Sequence, residues 1–318
     1  MKHNGHENCF ACRQGFCLEN IAPADPGLRA EIRMTRRHEG WLDIPHGGIG
    51  ISAALDLADL CWLRARGANL PYPQAMTMKF ADTCRIGDLL VLEAQPAAEQ
   101  PAVDFRLFRP GRGKNYLAGE IGPAAAEAPA VDLELPPISV LADRALLEPL
   151  SIYHNCFICG CRRQAPGMGR RFFIARLPAG DCILARFGFR EEDREPAAFF
   201  QQGEGLLHPG VIGAVLDEIC GWAGFLAGEL FGVTVRLTLN FRRPVRAGER
   251  LLFAAPKAAV RGQGRRRLYQ SRGYALAVDE RENYELVASA AGQWLSLPEL
   301  RQQFYATRVE EDLGAVKF

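Results

Sequence analysis

The residues best suited to chemistry sit where a histidine and a small turn lead into a long apolar run. His46-Gly47-Gly48 precedes one such run, residues 49–66, and His208-Pro209-Gly210 precedes a second, residues 211–230. Glycines at a helix start leave backbone N–H groups without intrahelical acceptors and let a ligand carbonyl approach them. Such a helix end stabilises negative charge, including that on the oxygen of a carbonyl under attack. Acids interrupt both runs, Asp56 and Asp59 in the first and Asp217 with Glu218 in the second. Charge in an apolar helix is costly to bury without a partner. Facing an activated carbonyl, such a carboxylate acts as general base on water or as nucleophile. His46 and His208 read as groups that orient the turns through hydrogen bonds rather than as bases. Pro209 is common in a first helical turn, but it removes one N–H donor from the second site.

Two CxxC pairs, Cys9/Cys12 and Cys156/Cys159, have spacing compatible with zinc or redox chemistry. They lie 156 − 12 = 144 residues apart, each with an apolar residue after its first cysteine. They are read as packing thiols, and no metal is assigned.

These groups recur because the chain repeats itself. Asn8-Cys9-Phe10-Ala11-Cys12 returns as Asn155-Cys156-Phe157-Ile158-Cys159, His46-Gly47-Gly48 as His208-Pro209-Gly210, and Met78-Lys79-Phe80 as Leu239-Asn240-Phe241. The offsets are 155 − 8 = 147, 208 − 46 = 162 and 241 − 80 = 161. The second copy therefore gains about fifteen residues between its first two motifs, read as loop material around Pro196 to Gly205. Each copy is long enough to bury its own core. The expected division is a first domain over 1–135, a linker over 136–149 and a second domain over 150–318, whose tail from residue 297 has no counterpart.

Each apolar run reads as a buried helix. Strands follow: Thr234 to Phe241 alternates, with Val235, Leu237, Leu239 and Phe241 on one face and Thr234, Arg236, Thr238 and Asn240 on the other. The expected class is α+β, a long buried helix wrapped by an antiparallel sheet in each of two copies packed as a pseudo-dimer. With 318 residues, 48% hydrophobic, 24% charged and a net charge of +1, the chain has no long-range field for nucleic acid or an anionic membrane. No signal-peptide core is visible and no stretch approaches a membrane span, so a cytoplasmic location without membrane or nucleic-acid partners is expected.

The run His154 to Gly160, then Ala165-Pro166-Gly167-Met168, His208 to Val211 reaching Leu216-Asp217-Glu218, and Leu239-Asn240-Phe241-Arg242-Arg243-Pro244-Val245 resembles the hotdog-fold acyl-CoA thioesterases of the phenylacetate-pathway type. In the first copy the resemblance rests on Asn8 to Cys12, Gly40 and His46-Gly47-Gly48. It implies a tandem double hotdog standing in for a homodimer. It also implies an acyl-CoA substrate without an organic or metal cofactor, and a helix acid that serves the other copy's helix start. Further homo-oligomerisation of the pseudo-dimer is compatible with it.

The copies are not equivalent. Asp217 lies nine residues after His208, the spacing usual in that family, whereas Asp56 lies ten after His46. If the first helix is continuous, Leu55 takes the catalytic direction; if the turn absorbs a residue, Asp56 does. The expected arrangement is one composite site, His46-Gly47-Gly48 facing Asp217, with Glu218 beside it. The reverse pairing of His208-Pro209-Gly210 with Asp56 is expected to be weak or lost. His208, Gly210, Asn240, Arg242 and Arg243 are candidate substrate contacts, the arginines, with Arg246, Arg261, Arg265, Arg266 and Arg267, for coenzyme A phosphates. Hotdog folds also serve hydratases or dehydratases and non-catalytic acyl-CoA or ligand binders, which remain alternatives. No phosphate loop, HExxH pattern or nucleophile elbow is present.

Overall fold

Helix α1 (Gly47–Arg66) begins at His46, whose ring caps Gly48, and ends at Gly67, whose φ of 74° is the left-handed value that closes a helix. Helix α2 (Pro209–Leu226) begins the same way at His208. The computed structural model describes residues 9–307 except 13–15, 128, 161–162, 164–165, 204 and 263–266. Asn8, Ala165, Arg265, Arg266 and the tail beyond 307 lie outside the described residues.

Neither helix can face water on any broad stripe, so both need a sheet on one side and a neighbour on the other. The first copy supplies strands β1 (Glu19–Pro23), β2 (Leu28–Arg33), β3 (Gln74–Phe80), β4 (Leu89–Pro96), β5 (Val103–Phe108) and β6 (Asn115–Pro123). The second supplies β7 (Leu147–Pro149), β8 (Phe173–Ala175), β9 (Cys182–Phe187), β10 (Gly232–Phe241), β11 (Leu251–Pro256), β12 (Leu268–Val278) and β13 (Tyr284–Ser296). They join in the order β1-β2-β4-β5-β6-β3-β10-β13-β12-β11-β9-β8-β7, and Ala259–Arg261 adds a fourteenth strand beside β12. Neighbours along this path are antiparallel, and the copies meet where β3 pairs with β10. There Thr77 lies opposite Thr238, their hydroxyls 3.3 Å apart, and 238 − 77 = 161 makes them equivalent residues on the local two-fold axis.

On the other side α1 packs on α2. A Cβ on Gly48 would fall 2.1 Å from that of Ala214, and one on Gly210 would fall 2.5 Å from the Cα of Ser52. These contacts are equivalent, since 210 − 48 = 162 and 214 − 52 = 162. Glycine is therefore required where each helix start crosses the other helix. The opening segments are exchanged across the same axis: Phe10 N–H donates to Gln201 O, and Phe157 N–H to Glu39 O.

Three expectations change. Residues 194–203 are not loop material: they form a short helix (Arg194–Phe199) and a strand (Gln201–Gly203), and Phe200 packs edge-on against Phe10 and Phe157. Pro209–Leu226 is long and apolar enough to cross a membrane by length and composition, contrary to the sequence reading. It is the enclosed core helix of the second copy, buried along most of its length. Within 136–149, read as linker, Leu147–Pro149 adds an edge strand to the second copy. The segment after residue 297 carries α3 (Pro298–Thr307), whose Phe304 is buried against Trp41, Trp222 and Phe231.

If the glycine crossing sets the helix spacing, Gly48→Ala lowers the unfolding free energy by about 2 kcal/mol in denaturant titration, as overpacking does. Gly113→Ala, with open space around its Cβ position, stays within about 0.5 kcal/mol of the parent.

Candidate active site

From histidine to acid the two copies are in step: 56 − 46 = 10 and 218 − 208 = 10. Both helices are continuous over this stretch, so Asp56 corresponds to Glu218, and Asp217 corresponds to Leu55. The single-residue difference arises later, between helix and strand, where the offset falls to 161. One residue along a helix turns the side chain by about 100°. That rotation separates the roles of neighbouring acids.

The turn histidines use both ring nitrogens. His46 Nδ1 accepts the Gly48 N–H at 2.9 Å while Nε2 lies 3.1 Å from Glu218 Oε2. His208 Nδ1 accepts the Gly210 N–H at 2.9 Å while Nε2 lies 2.7 Å from Asp56 Oδ1. A nitrogen that accepts from a backbone N–H keeps its lone pair, so each ring is the Nε2–H tautomer and donates to the acid of the other copy. Phe10 and Phe157 pack on the rings of His208 and His46.

Asp217 points elsewhere. Its Oδ2 would lie 2.9 Å from a Cβ on Gly47, so the acid of the second copy and the helix start of the first face each other with no side chain between. Thr234 donates its hydroxyl to Asp217 Oδ1 at 2.8 Å. Burial pushes the Asp217 carboxyl up to about 6, and the nearby Glu218 charge adds to this, while the Thr234 hydrogen bond pulls it down. Asp217, Glu218, His46 and Gly47 line a cavity of about 490 Å³ whose walls include Trp41, Phe80, Tyr116, Trp222 and Phe231. Gly47, at the first helical position, has no intrahelical acceptor for its N–H and lines this cavity.

The equivalent cavity on the other side, about 410 Å³, is lined by Leu55 and Pro209. These stand in the places of Asp217 and Gly47, so no acid faces this helix start from the Asp217 position and the helix start has no N–H. The acid that does line this cavity, Asp59, accepts the Leu70 N–H at 2.6 Å.

Several sequence assignments need correction. Asp56 lines neither cavity; it is fully buried between His208 and the thiols of Cys9 and Cys12, which donate to its Oδ2 at 2.8 and 3.2 Å. Gly48 N–H is consumed by the cap, and a Cβ there would strike Ala214, so Gly48 shapes the crossing instead of contacting a ligand. His208 and Gly210 are likewise buried in cap and crossing. Asn240 sits mid-strand between Ala75 and Ser289 and reaches neither cavity. Arg242 donates to the carbonyls of Ala125, Ala126 and Glu127, and Arg243 pairs with Glu249 and Glu285, so local acceptors hold both. Thr234 was missed because strict alternation puts it on the outer face. A bulge between Thr234 and Arg236 turns it inward.

Residues 204–267 match the Thioesterase superfamily. No curated protein sequence matches the chain. Among solved structures the chain is similar to a proposed thioesterase II of Thermobifida fusca, at 13% identity and a TM-score of 0.54 over 87% of this chain and 94% of that one. It is similar to a hot dog fold protein of unknown function from Alicyclobacillus acidocaldarius, at 13% identity and a TM-score of 0.50 over 94% and 100%. The dehydratase domain of PpsC from Mycobacterium tuberculosis, in complex with C12:1-CoA, matches at 14% identity and a TM-score of 0.51 over 88% and 98%. At these identities the likeness establishes the fold, a double hotdog over most of the chain, and that fold serves more than one chemistry.

The Asp217 carboxyl is expected to titrate near pH 6 when followed by carboxyl carbon chemical shift. Thr234→Val removes a bond that favours the charged form and moves the titration to higher pH.

Proposed function

We propose that the chain is an acyl-CoA thioesterase with one active site per chain, built across the two copies. The observation that carries this reading is the asymmetry of the cavities. Gly47 and the Asp217 carboxylate face each other in one, and Pro209 and Leu55 replace them in the other.

The thioester carbonyl oxygen accepts Gly47 N–H at the positive end of α1, which draws electron density from the carbonyl carbon. Asp217 takes a proton from a water as its oxygen bonds to that carbon, and the oxyanion is held at Gly47. Collapse of the tetrahedral intermediate breaks the carbon–sulfur bond. The leaving thiolate recovers the proton from Asp217, giving free acid and thiol. Thr234 holds the carboxylate in line, and the aromatic walls accept an apolar acyl group. Coenzyme A as the carrier is supported by the C12:1-CoA of the PpsC dehydratase domain.

A dehydratase reading is disfavoured by His46. Dehydration asks for an imidazole that exchanges protons with substrate, and both nitrogens of this ring are engaged by Gly48 and Glu218. A non-catalytic binder would leave the convergence of a buried acid and a helix start without use.

In a free-thiol assay, Asp217→Asn is expected to lower kcat/KM by about 10²–10⁴ while acyl-CoA binding persists, in keeping with loss of a general base. Because burial raises the Asp217 carboxyl to about 6, kcat/KM of the parent is flat above that pH and falls about tenfold per pH unit below it. Turnover of no acyl-CoA across short, long and aromatic chains, with binding intact, would favour the binder.

A further inference from the structure

The proposed reaction leaves one cluster of reactive side chains unused, on the far side of the pseudo-two-fold axis from the cavity that holds Asp217. Cys9, Cys12 and Asp56 bring two sulfurs and a carboxylate oxygen to within 4.8 Å of one another. Packing thiols need only apolar neighbours, whereas both of these sulfurs turn to the same atom, Asp56 Oδ2, at 2.8 and 3.2 Å. The other oxygen, Oδ1, takes the Nε2–H of His208. Cys9, Asp56 and His208 have no exposed surface, and Cys12 is part-exposed.

We propose that Cys9, Cys12 and Asp56 bind a zinc-class divalent cation, with His208 holding the carboxylate from behind. A tetrahedral zinc ion with sulfur and oxygen bonds of about 2.0–2.3 Å sets its donors about 3.3–3.8 Å apart. The Cys12 separation opens to that range by a few tenths of an ångström and the Cys9 separation by about half an ångström or more, within the reach of side-chain rotation. Two thiolates select a borderline-soft cation over magnesium or calcium. Binding replaces the two thiol protons by the metal and releases them to solvent. His208 is not a ligand, because its Nδ1 accepts the Gly210 N–H and its Nε2 carries the proton. It orients the ligating acid as outer-shell groups do. The fourth position, on the side of part-exposed Cys12, is left for water.

The second copy sharpens the assignment to one ion per chain. Glu218 is one methylene longer than Asp56, and its carboxylate is drawn to Trp222 Nε1 and His46 Nε2, both at 3.1 Å. Cys156 is 3.9 Å from it, and Cys159 is not in the group of ligand atoms that gathers there, so this side brings one sulfur to the acid where the first copy brings two. His46, Cys156 and Glu218 also lie within 4.8 Å of one another, but His46 Nε2 bears a proton for the same reason as His208. The role of the ion is structural. The Cys9–Cys12 segment already donates Phe10 N–H to the second copy, and the metal ties that segment to α1 and, through His208, to the start of α2.

The test uses the full chain, reduced with a phosphine, stripped with chelator and titrated with cobalt(II). One equivalent is expected to bind with thiolate-to-cobalt charge-transfer bands and intense tetrahedral d–d bands, and zinc is expected to displace it. Cys12→Ser, at a part-exposed position, is expected to lose about half of the charge-transfer intensity and to bind zinc at least about tenfold more weakly. Cys159→Ser leaves both unchanged. Absence of charge-transfer bands in the parent overturns the proposal, and that result stands even if the variants fail to fold. Bands retained in full in Cys12→Ser, or abolished by Cys159→Ser, overturn the assignment to the first copy's cysteines. Thioesterase activity is not the readout, so failure here and failure of the proposed reaction are distinguishable.

Discussion

The close crossing of α1 and α2 at Gly48 and Gly210 is the contact on which the rest depends. Two helices apolar on nearly every face can be enclosed only by each other and by a sheet that wraps both. A Cβ at either glycine would separate them. At this spacing the histidine that starts one helix reaches the acid ten residues into the other, and each helix start is capped by the ring that makes that reach. Moving the helices apart would break two cross-copy hydrogen bonds and take from Asp56 and Glu218 their imidazole donors, which is costly in a low-dielectric interior. Packing and polar satisfaction therefore require the same geometry.

That frame is symmetric, and function departs from it at two positions. The histidine–acid bonds are present on both sides, so both are needed to close the interface. One residue earlier on each helix, the side chain turns from the interface into a cavity. There Asp217 stands on one side and Leu55 on the other, while Gly47 and Pro209 differ at the facing helix starts. Both differences remove chemistry from the same cavity. The second cavity, of similar size, loses the Asp217-position acid and the N–H together, and the acid it retains, Asp59, is held by the Leu70 N–H instead of facing a helix start. The thiols beside Asp56 show the other half of the division, with a fully buried acid set in a cluster that reaches no substrate.

Much of this was legible in the sequence. The repeated motifs and two all-round apolar runs require paired buried helices, and the lead of Asp217 over Asp56 by one position forecasts unequal sites. The equality of the two histidine-to-acid spacings, ten residues to Asp56 and ten to Glu218, was also available and identifies these two as partners. Contacts made across the copies were not legible. Thr234 reaches Asp217 only because a bulge reverses its face. Arg242 and Arg243 were read as phosphate contacts from charge alone, but nearby carbonyls and acids satisfy them first. The cysteine pairs were set aside for their separation in sequence, when the relevant distance was from Cys9 and Cys12 to a helix acid within their own copy.

The central claim is that one chain, two copies long, holds one reactive acyl-thioester site. Calorimetric titration of the intact chain with a non-hydrolysable acyl-CoA analogue, its thioester replaced by a methylene ketone, tests this directly. The account predicts one equivalent bound per chain, with affinity lost in Gly47→Pro. Two equivalent sites per chain, or one site unaffected by Gly47→Pro, would contradict it.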